Sequence, residues 1–263
     1  MPNYVSLFSG IGGLDLGFDR AGWTCVAQVE IDPWCRSVLA KHWPDVPRHD
    51  DVATATEWWH SQERPNVDAV VFGFPCQDIS LSRQGDKAGL SGSQSSLYWA
   101  ALAFARETNP AIVALENVRS LLSSNRGQDF LSVVDSLAQC GYISQWSTIS
   151  GCSVGAPHTR NRLFLVAHAG SERREGRGGL KGGTESGSAD AGTGPEFGGR
   201  AGYGGTAVWA GPHESPHTGV ADGISRRMDK HRIRGYGNAV MPAVAQVAGT
   251  WALDVFNSLS VEA

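Results

Sequence analysis

The 263 residues carry 22 Lys and Arg against 26 Asp and Glu, a formal net charge of −4, which excludes a uniformly basic nucleic-acid coat and leaves phosphate contacts to local patches. This length suits one α/β unit with a modest insertion and is short for two full domains. Five scattered cysteines (Cys25, Cys35, Cys76, Cys140, Cys152) without a CxxC pair offer neither a disulfide framework nor metal spacing, and there is no leader pattern or ~18-residue apolar run, so a reduced, cytoplasmic, metal-free protein without membrane contact is expected.

Tyr4–Phe8 reads as a buried strand, and a small glycine turn then leads into a helix from about Leu14 to Ala21. Thr24–Glu30 is the next strand, and Pro33 opens a helix to about His42, proline being favoured in a first helical turn. Trp58-Trp59 is read as an anchor of a surface helix on the core. Val67–Phe72 and Ala111–Leu115 are core strands separated by a helix from Leu97 to Thr108. Asp129–Ala138 reads as helical, Gly141–Ile149 as extended and Leu163–Ala167 as an apolar strand. Alternation of this kind predicts a doubly wound, mostly parallel sheet.

Beyond His168 the pattern collapses. Residues 170–205 hold fourteen glycines and almost no periodic apolar residues, a composition that buries too little surface to offset backbone entropy. Order is expected to return near Gly223, with Val240–Phe256 an apolar helix packing back on the sheet. Three segments result: a main α/β body over 1–167, a Gly-rich irregular region over 168–222 and a returning segment over 223–263. Charge is uneven as well. Residues 158–236 carry twelve Lys and Arg against eight Asp and Glu, about +4, and the remainder therefore about −8.

Five stretches carry chemistry. Cys76, in Phe74-Pro75-Cys76-Gln77, follows an apolar strand, where an open α/β sheet places its ligands. A lone cysteine there is more often a packing residue, so its weight depends on its company. The turn Phe8-Ser9-Gly10-Ile11-Gly12 precedes a helix, and Glu30 lies twenty residues past Gly10 at the end of the second strand. A carboxylate there can accept both hydroxyls of a ribose. Glu116-Asn117-Val118 follows the strand Ala111–Leu115 and should emerge beside Cys76. Arg160-Asn161-Arg162 precedes the strand Leu163–Ala167, and Gly237-Asn238-Ala239-Val240 precedes the C-terminal helix.

In this order these stretches resemble the DNA cytosine-C5 methyltransferases of small bacterial or phage type, over about residues 4–167 and 230–250. The resemblance implies a Rossmann-like S-adenosylmethionine-dependent methyltransferase fold with a small irregular target-recognition insertion. It implies a cofactor site built from Phe8, Gly10, Ile11, Gly12, Glu30, Ile31 on adenine, Asp51 with Val52 (Asp50 competing), Pro75, Leu97 and Asn238. Cys76 is then the nucleophile that adds to cytosine C6, Glu116 protonates N3, Asn117 belongs to the catalytic set as the next residue of the same motif, and Arg160 and Arg162 contact the flipped base and its phosphate. His158 stands where the family has Gln. Residues 77–96 resemble a loop that closes over DNA, and Arg173, Arg174, Arg177 and Arg200 are candidates for DNA contacts.

The implied partner is double-stranded DNA, with a cognate restriction endonuclease a further implication; the enzyme is expected to be monomeric and cytoplasmic, nucleoid-associated in a bacterium or phage-encoded. Competing readings are cytosine-C5 methylation of transfer RNA, a non-catalytic protein that binds cofactor and DNA, and a dinucleotide oxidoreductase. The last leaves Cys76 and Glu116 unexplained.

Overall fold

Apolar side chains alternate across every central strand, so both faces of the sheet must be covered, and helices cover them. The computed structural model describes residues 1–61, 63–75, 96–170 and 239–261. Strands β1 (Asn3–Leu7), β2 (Thr24–Val29), β3 (Arg48–His49), β4 (Ala69–Phe72), β5 (Ile112–Val118), β6 (Tyr142–Ile149) and β7 (Arg162–Ala169) form one sheet in the order β3-β2-β1-β4-β5-β7-β6. Helices are α1 (Gly13–Arg20), α2 (Pro33–His42), α3 (Ala55–His60), α4 (Ser96–Thr108), α5 (Gln128–Gln139) and α6 (Pro242–Val261). All strand pairs are parallel except those of β7, which runs antiparallel between β5 and β6.

Val5, Leu7, Val70, Phe72, Val113 and Leu115 face one layer with Trp59 of α3, Phe104 of α4 and Val133 of α5. Tyr4, Ala69, Val71, Ile112 and Ala114 face the opposite layer with Phe18 of α1 and Ala248 and Trp251 of α6. Strand order reverses between β1 and β4. That switch point opens a crevice at the carboxyl ends of the parallel strands, where such sheets bind ligands.

Several expected boundaries move. Strand β1 stops at Leu7 because Phe8 has φ 55°, a left-handed conformation that no strand continues. Strand β5 runs three residues beyond Leu115, because β7 pairs with it in register through Glu116↔Phe164, Asn117↔Leu163 and Val118↔Arg162. Glu116 and Asn117 are therefore strand residues rather than the loop after a strand, and Arg162 opens β7 rather than preceding it. Trp59 is buried against Phe104, as the anchoring role requires. Trp58 is half-buried, with His49 stacked on one ring at 5.0 Å and the Arg64 guanidinium 4.3 Å from its centroid.

Helices α1 and α6 meet through a seam of small residues absent from the sequence-based reading. A Cβ on Gly13 would lie 2.2 Å from the Val240 carbonyl oxygen, on Gly17 2.3 Å from the Ala245 Cβ, and on Gly249 2.9 Å from the Ala21 Cβ. Trp23 closes it by donating its Nε1–H to the Gly249 carbonyl at 2.9 Å. Gly17→Leu is expected to cost about 3 kcal/mol or more by overpacking, lowering the thermal midpoint by roughly 6–12 °C. A wild-type midpoint followed by circular dichroism would show that the seam relaxes freely.

Candidate functional site

A cleft of about 630 Å³ opens at the switch point, within the ~300–1,000 Å³ typical of small-molecule sites. Its floor is the turn after β1 (Phe8 to Leu14), and one wall is the turn after β2 (Glu30 to Cys35). The others are Gly73, Phe74 and Pro75 after β4, Glu116 to Val118 at the end of β5, Arg162, and Ala239 with Val240 before α6. The turns after β1, β2 and β4 and the end of β5 meet here because parallel strands deliver their carboxyl ends to the same edge, and the antiparallel β7 brings its first residue, Arg162, to that edge.

Glu30 is held by backbone alone. One carboxylate oxygen accepts from the Gly10 N–H at 2.7 Å, and the other from the Asp32 N–H at 2.8 Å. Gly10 has φ 55°, a conformation glycine adopts at no steric cost, and nothing lies within 4 Å of where its Cβ would be. Burial raises the Glu30 pKa above the ordinary carboxylate range against the lowering pull of these two N–H groups. Arg36 of α2 fixes the same turn from behind, donating to the Glu30 carbonyl at 2.7 Å and the Ile31 carbonyl at 2.8 Å. Asp32 caps α2 by accepting from the Trp34 N–H at 2.8 Å. Ile31 is thereby left 73% exposed, an unusual position for a large aliphatic side chain.

Across the cleft, Glu116 lies 3.0 Å from the Arg162 Nε. Its other oxygen occupies space that only glycine leaves free, since a Cβ on Gly73 would stand 2.7 Å from Oε2. Burial pushes the Glu116 pKa up to about 7, outweighing the lowering effect of the Arg162 and Arg160 guanidinium groups. At neutral pH this carboxyl can therefore carry or release a proton. Asn117 donates its Nδ2–H to the Phe74 carbonyl at 3.1 Å and accepts from the Val118 N–H at 2.8 Å, clamping the turn that leads into Pro75. Arg160 donates to the Ala239 carbonyl at 2.9 Å and so ties the returning C-terminal segment to the site. Burial lowers its pKa first, the Arg162 charge second.

Phe8, Gly10, Ile11, Glu30, Ile31, Pro75, Glu116, Asn117 and Arg162, expected from sequence, all line the cleft. Five others do not. Gly12 is spent on packing, because at φ 85° its Cβ would strike the Trp43 ring at 2.4 Å. Asp51 caps the turn Val52–Thr54 by accepting from the Ala53 N–H at 2.9 Å, while Val52 is buried beneath it. Leu97 packs against the core, and Arg160 turns to Ala239. Cys76, Asn238, the loop 77–96 up to Ser95, the glycine-rich insertion and its arginines lie outside the described residues. Ser9, Phe74, Val118, Ala239 and Val240 line the cleft as members of the quoted stretches, and Gly13, Leu14, Asp32, Cys35 and Gly73 line it without having been singled out. For Asp32 the signal was present, an Asp directly before a Pro at a helix start.

The C-5 cytosine-specific DNA methylase family model matches residues 3–187. The chain belongs to this family. Its members use S-adenosylmethionine as methyl donor. The chain is 36% identical over 167 residues to the Type II methyltransferase M2.BsuMI of Bacillus subtilis, covering 62% of this chain and 41% of that protein. It is 32% identical over 165 residues to the Type II methyltransferase M.NgoFVII of Neisseria gonorrhoeae, covering 63% and 43%. The matched part thus spans about two fifths of the length of these curated relatives. Among solved structures, the S. pombe Dnmt2 methyltransferase superposes with a TM-score of 0.52 at 20% identity, over 64% of this chain and 51% of that one. The Spodoptera frugiperda DNMT2 variant superposes at 0.50 and 22%, over 65% and 51%. These likenesses establish the methyltransferase fold. Among the described residues, no helix is long and apolar enough to cross a membrane, and no cluster of His, Cys, Asp or Glu could hold a metal.

Proposed function

We propose that the cleft binds S-adenosylmethionine and that this chain transfers its methyl group to C5 of cytosine in duplex DNA. The observation that carries the reading is one cleft with two unlike carboxylates. Glu30 is fixed by backbone donors with lone pairs left for a ribose, and Glu116 is poised near neutrality beside Arg162. Bound cofactor supplies an electrophilic methyl group; this chain's residues orient it and prepare the base. Ile31 offers an apolar surface to adenine, and the Phe8-to-Ile11 turn and Pro75 enclose the rest.

Cytosine C5 is too weak a nucleophile to take a methyl group unaided. In the proposed sequence the Cys76 thiolate adds to C6 while Glu116 donates its proton to N3, which moves electron density to C5. After C5 takes the methyl group, a base removes the C5 proton and the thiolate leaves, restoring the ring. Chain connectivity supports this role for Cys76, since it directly follows Pro75, a wall of the cleft. Arg162 compensates the charge that returns to Glu116 when its proton goes. Asn117 and Arg160 are positioning residues, the first for the Phe74–Pro75 turn and the second for the Ala239–Val240 wall. A target carbon within stacked bases is out of reach, so the base must be flipped into the cleft.

Expression in a host without cytosine methylation, followed by mapping of modified cytosines, tests the proposal. Methylated C5 at defined DNA sites is the expected result. Modified cytosine in transfer RNA with none in DNA would transfer the same chemistry to another substrate, and no product in either would leave a binding protein.

A further inference from the structure

A buried polar network beneath the cofactor turn has no part in the chemistry above. Asp15 of α1 is fully buried, and its carboxylate is the common acceptor for side chains from two strands. Oδ1 accepts from the Gln28 Nε2–H at 2.9 Å and faces the Cys25 thiol at 3.9 Å; Oδ2 accepts from the Ser6 hydroxyl at 3.2 Å. Cys25 and Gln28 can both face Asp15, three residues apart, because the β1–β2 register shifts by one residue between Tyr4 and Val5. The network then reaches the cleft. Ser9 donates its hydroxyl to the Ser6 Oγ at 2.9 Å, its N–H to the Val29 carbonyl at 3.1 Å, and accepts the Gly12 N–H at 2.9 Å. Ser9 is a wall of the cleft, between two residues that both have φ 55°.

We infer that Asp15 is a positioning residue for the cofactor turn, acting through Ser6 and Ser9, and that its ionised form holds the turn in the conformation that binds S-adenosylmethionine. The inference rests on the cofactor reading of the cleft. With Asp15 ionised, both hydroxyls point the same way: Ser9 to Ser6, Ser6 to Asp15. A protonated Asp15 must donate on one oxygen, and if it donates to Ser6 the chain reverses. Ser6 then donates to Ser9, and the Ser9 hydroxyl has only backbone carbonyls left to donate to, that of Ser6 at 3.2 Å or of Val29 at 3.5 Å, so the turn exchanges its 2.9 Å donor contact for a longer one. Burial raises the Asp15 pKa to about 6, with Gln28 and Ser6 pulling it down, so the switch falls in an accessible range. The charged and titratable groups around it are Asp19 of its own helix, Tyr4 of β1, Cys25 of β2 and, through Gln28, Arg48 of β3. Burial raises the Tyr4 and Cys25 pKa values well above their ordinary ones, so both stay neutral throughout this range.

Calorimetric titration of the full chain with S-adenosylmethionine from pH 5 to pH 8 tests this on wild type, Asp15→Asn and Ser9→Ala. Asparagine donates and accepts as a protonated Asp15 would, and Glu30 is unchanged in all three proteins, so its own titration cancels in ratios. The wild-type and Asp15→Asn affinities should coincide near pH 5 and separate to about fivefold at pH 8, wild type being tighter. Ser9→Ala, which cuts the relay and leaves Asp15 in place, should show the same convergence and carries the test if Asp15→Asn fails to fold. Thermal midpoints recorded alongside separate the alternatives, because a merely structural Asp15 would shift stability with pH while leaving the affinity ratios constant. Constant ratios, with S-adenosylmethionine bound, overturn the role of Asp15 and leave the cofactor reading standing; no binding by wild type at any pH overturns both.

Discussion

Replacing Cys76 with alanine is expected to abolish methyl transfer while leaving S-adenosylmethionine affinity within about twofold of wild type. The proposed reaction has no route to an electron-rich C5 without a covalent bond at C6, whereas the cofactor contacts proposed here come from the β1, β2 and β4 turns. The clearest readout is the adduct itself. A duplex containing 5-fluorocytosine should trap the wild-type enzyme covalently, because fluorine cannot leave as a proton and the final elimination is blocked. The Cys76→Ala protein should form no such complex on denaturing gels. An adduct with the variant would assign the nucleophile to another cysteine. Of the four others, Cys25 and Cys35 are buried and Cys152 is exposed on the turn after β6.

Glu116→Gln should slow the single-turnover rate by roughly 10²–10⁴-fold with little loss of DNA affinity, since the amide keeps the shape and cannot supply the proton. Its pH profile should change as well. Burial raises the Glu116 pKa to about 7, so wild type holds the proton below that value and loses it above. The thiolate has the opposite demand, an unperturbed thiol titrating near ~8.5. Wild-type rates should therefore rise and then fall with pH, and the variant should keep only the rise. The sign for stability follows the same shift: a raised carboxylate contributes stability that is present below pH 4.5 and lost as pH rises through about 7, a loss the Gln variant does not have. Equal single-turnover rates for the two proteins would remove Glu116 from the mechanism.

The sequence alone determined the order of the strands and helices through Ala169 apart from the two-residue β3, because each central strand is a short apolar run bounded by Gly, Pro or polar residues. It also named Glu30 and Glu116, since a carboxylate just after an apolar β run falls at the ligand edge of a parallel sheet. Where it failed, the deciding contacts lie far apart in the chain. The extension of β5 through Asn117 depends on pairing with β7, about fifty residues on, which no local pattern near Leu115 records. Gly12 enters the expected cofactor site only through the family resemblance, and the contact that the structure gives it is with the Trp43 ring, brought over it by α2 from about thirty residues on.

Only tertiary structure decided the electrostatics. The Glu116 carboxyl is pushed toward neutrality by burial between the β4 turn and β7, and that burial exists only once Gly73 and Arg162 close around it. The same holds for Asp15, an unremarkable acid on an amphipathic helix in sequence, which becomes a buried acceptor because a one-residue register shift turns Cys25 and Gln28 to the same face. Periodicity fixes which residues go inside. Which of the polar ones then share a proton depends on distances of about 3 Å between segments that the chain order keeps apart.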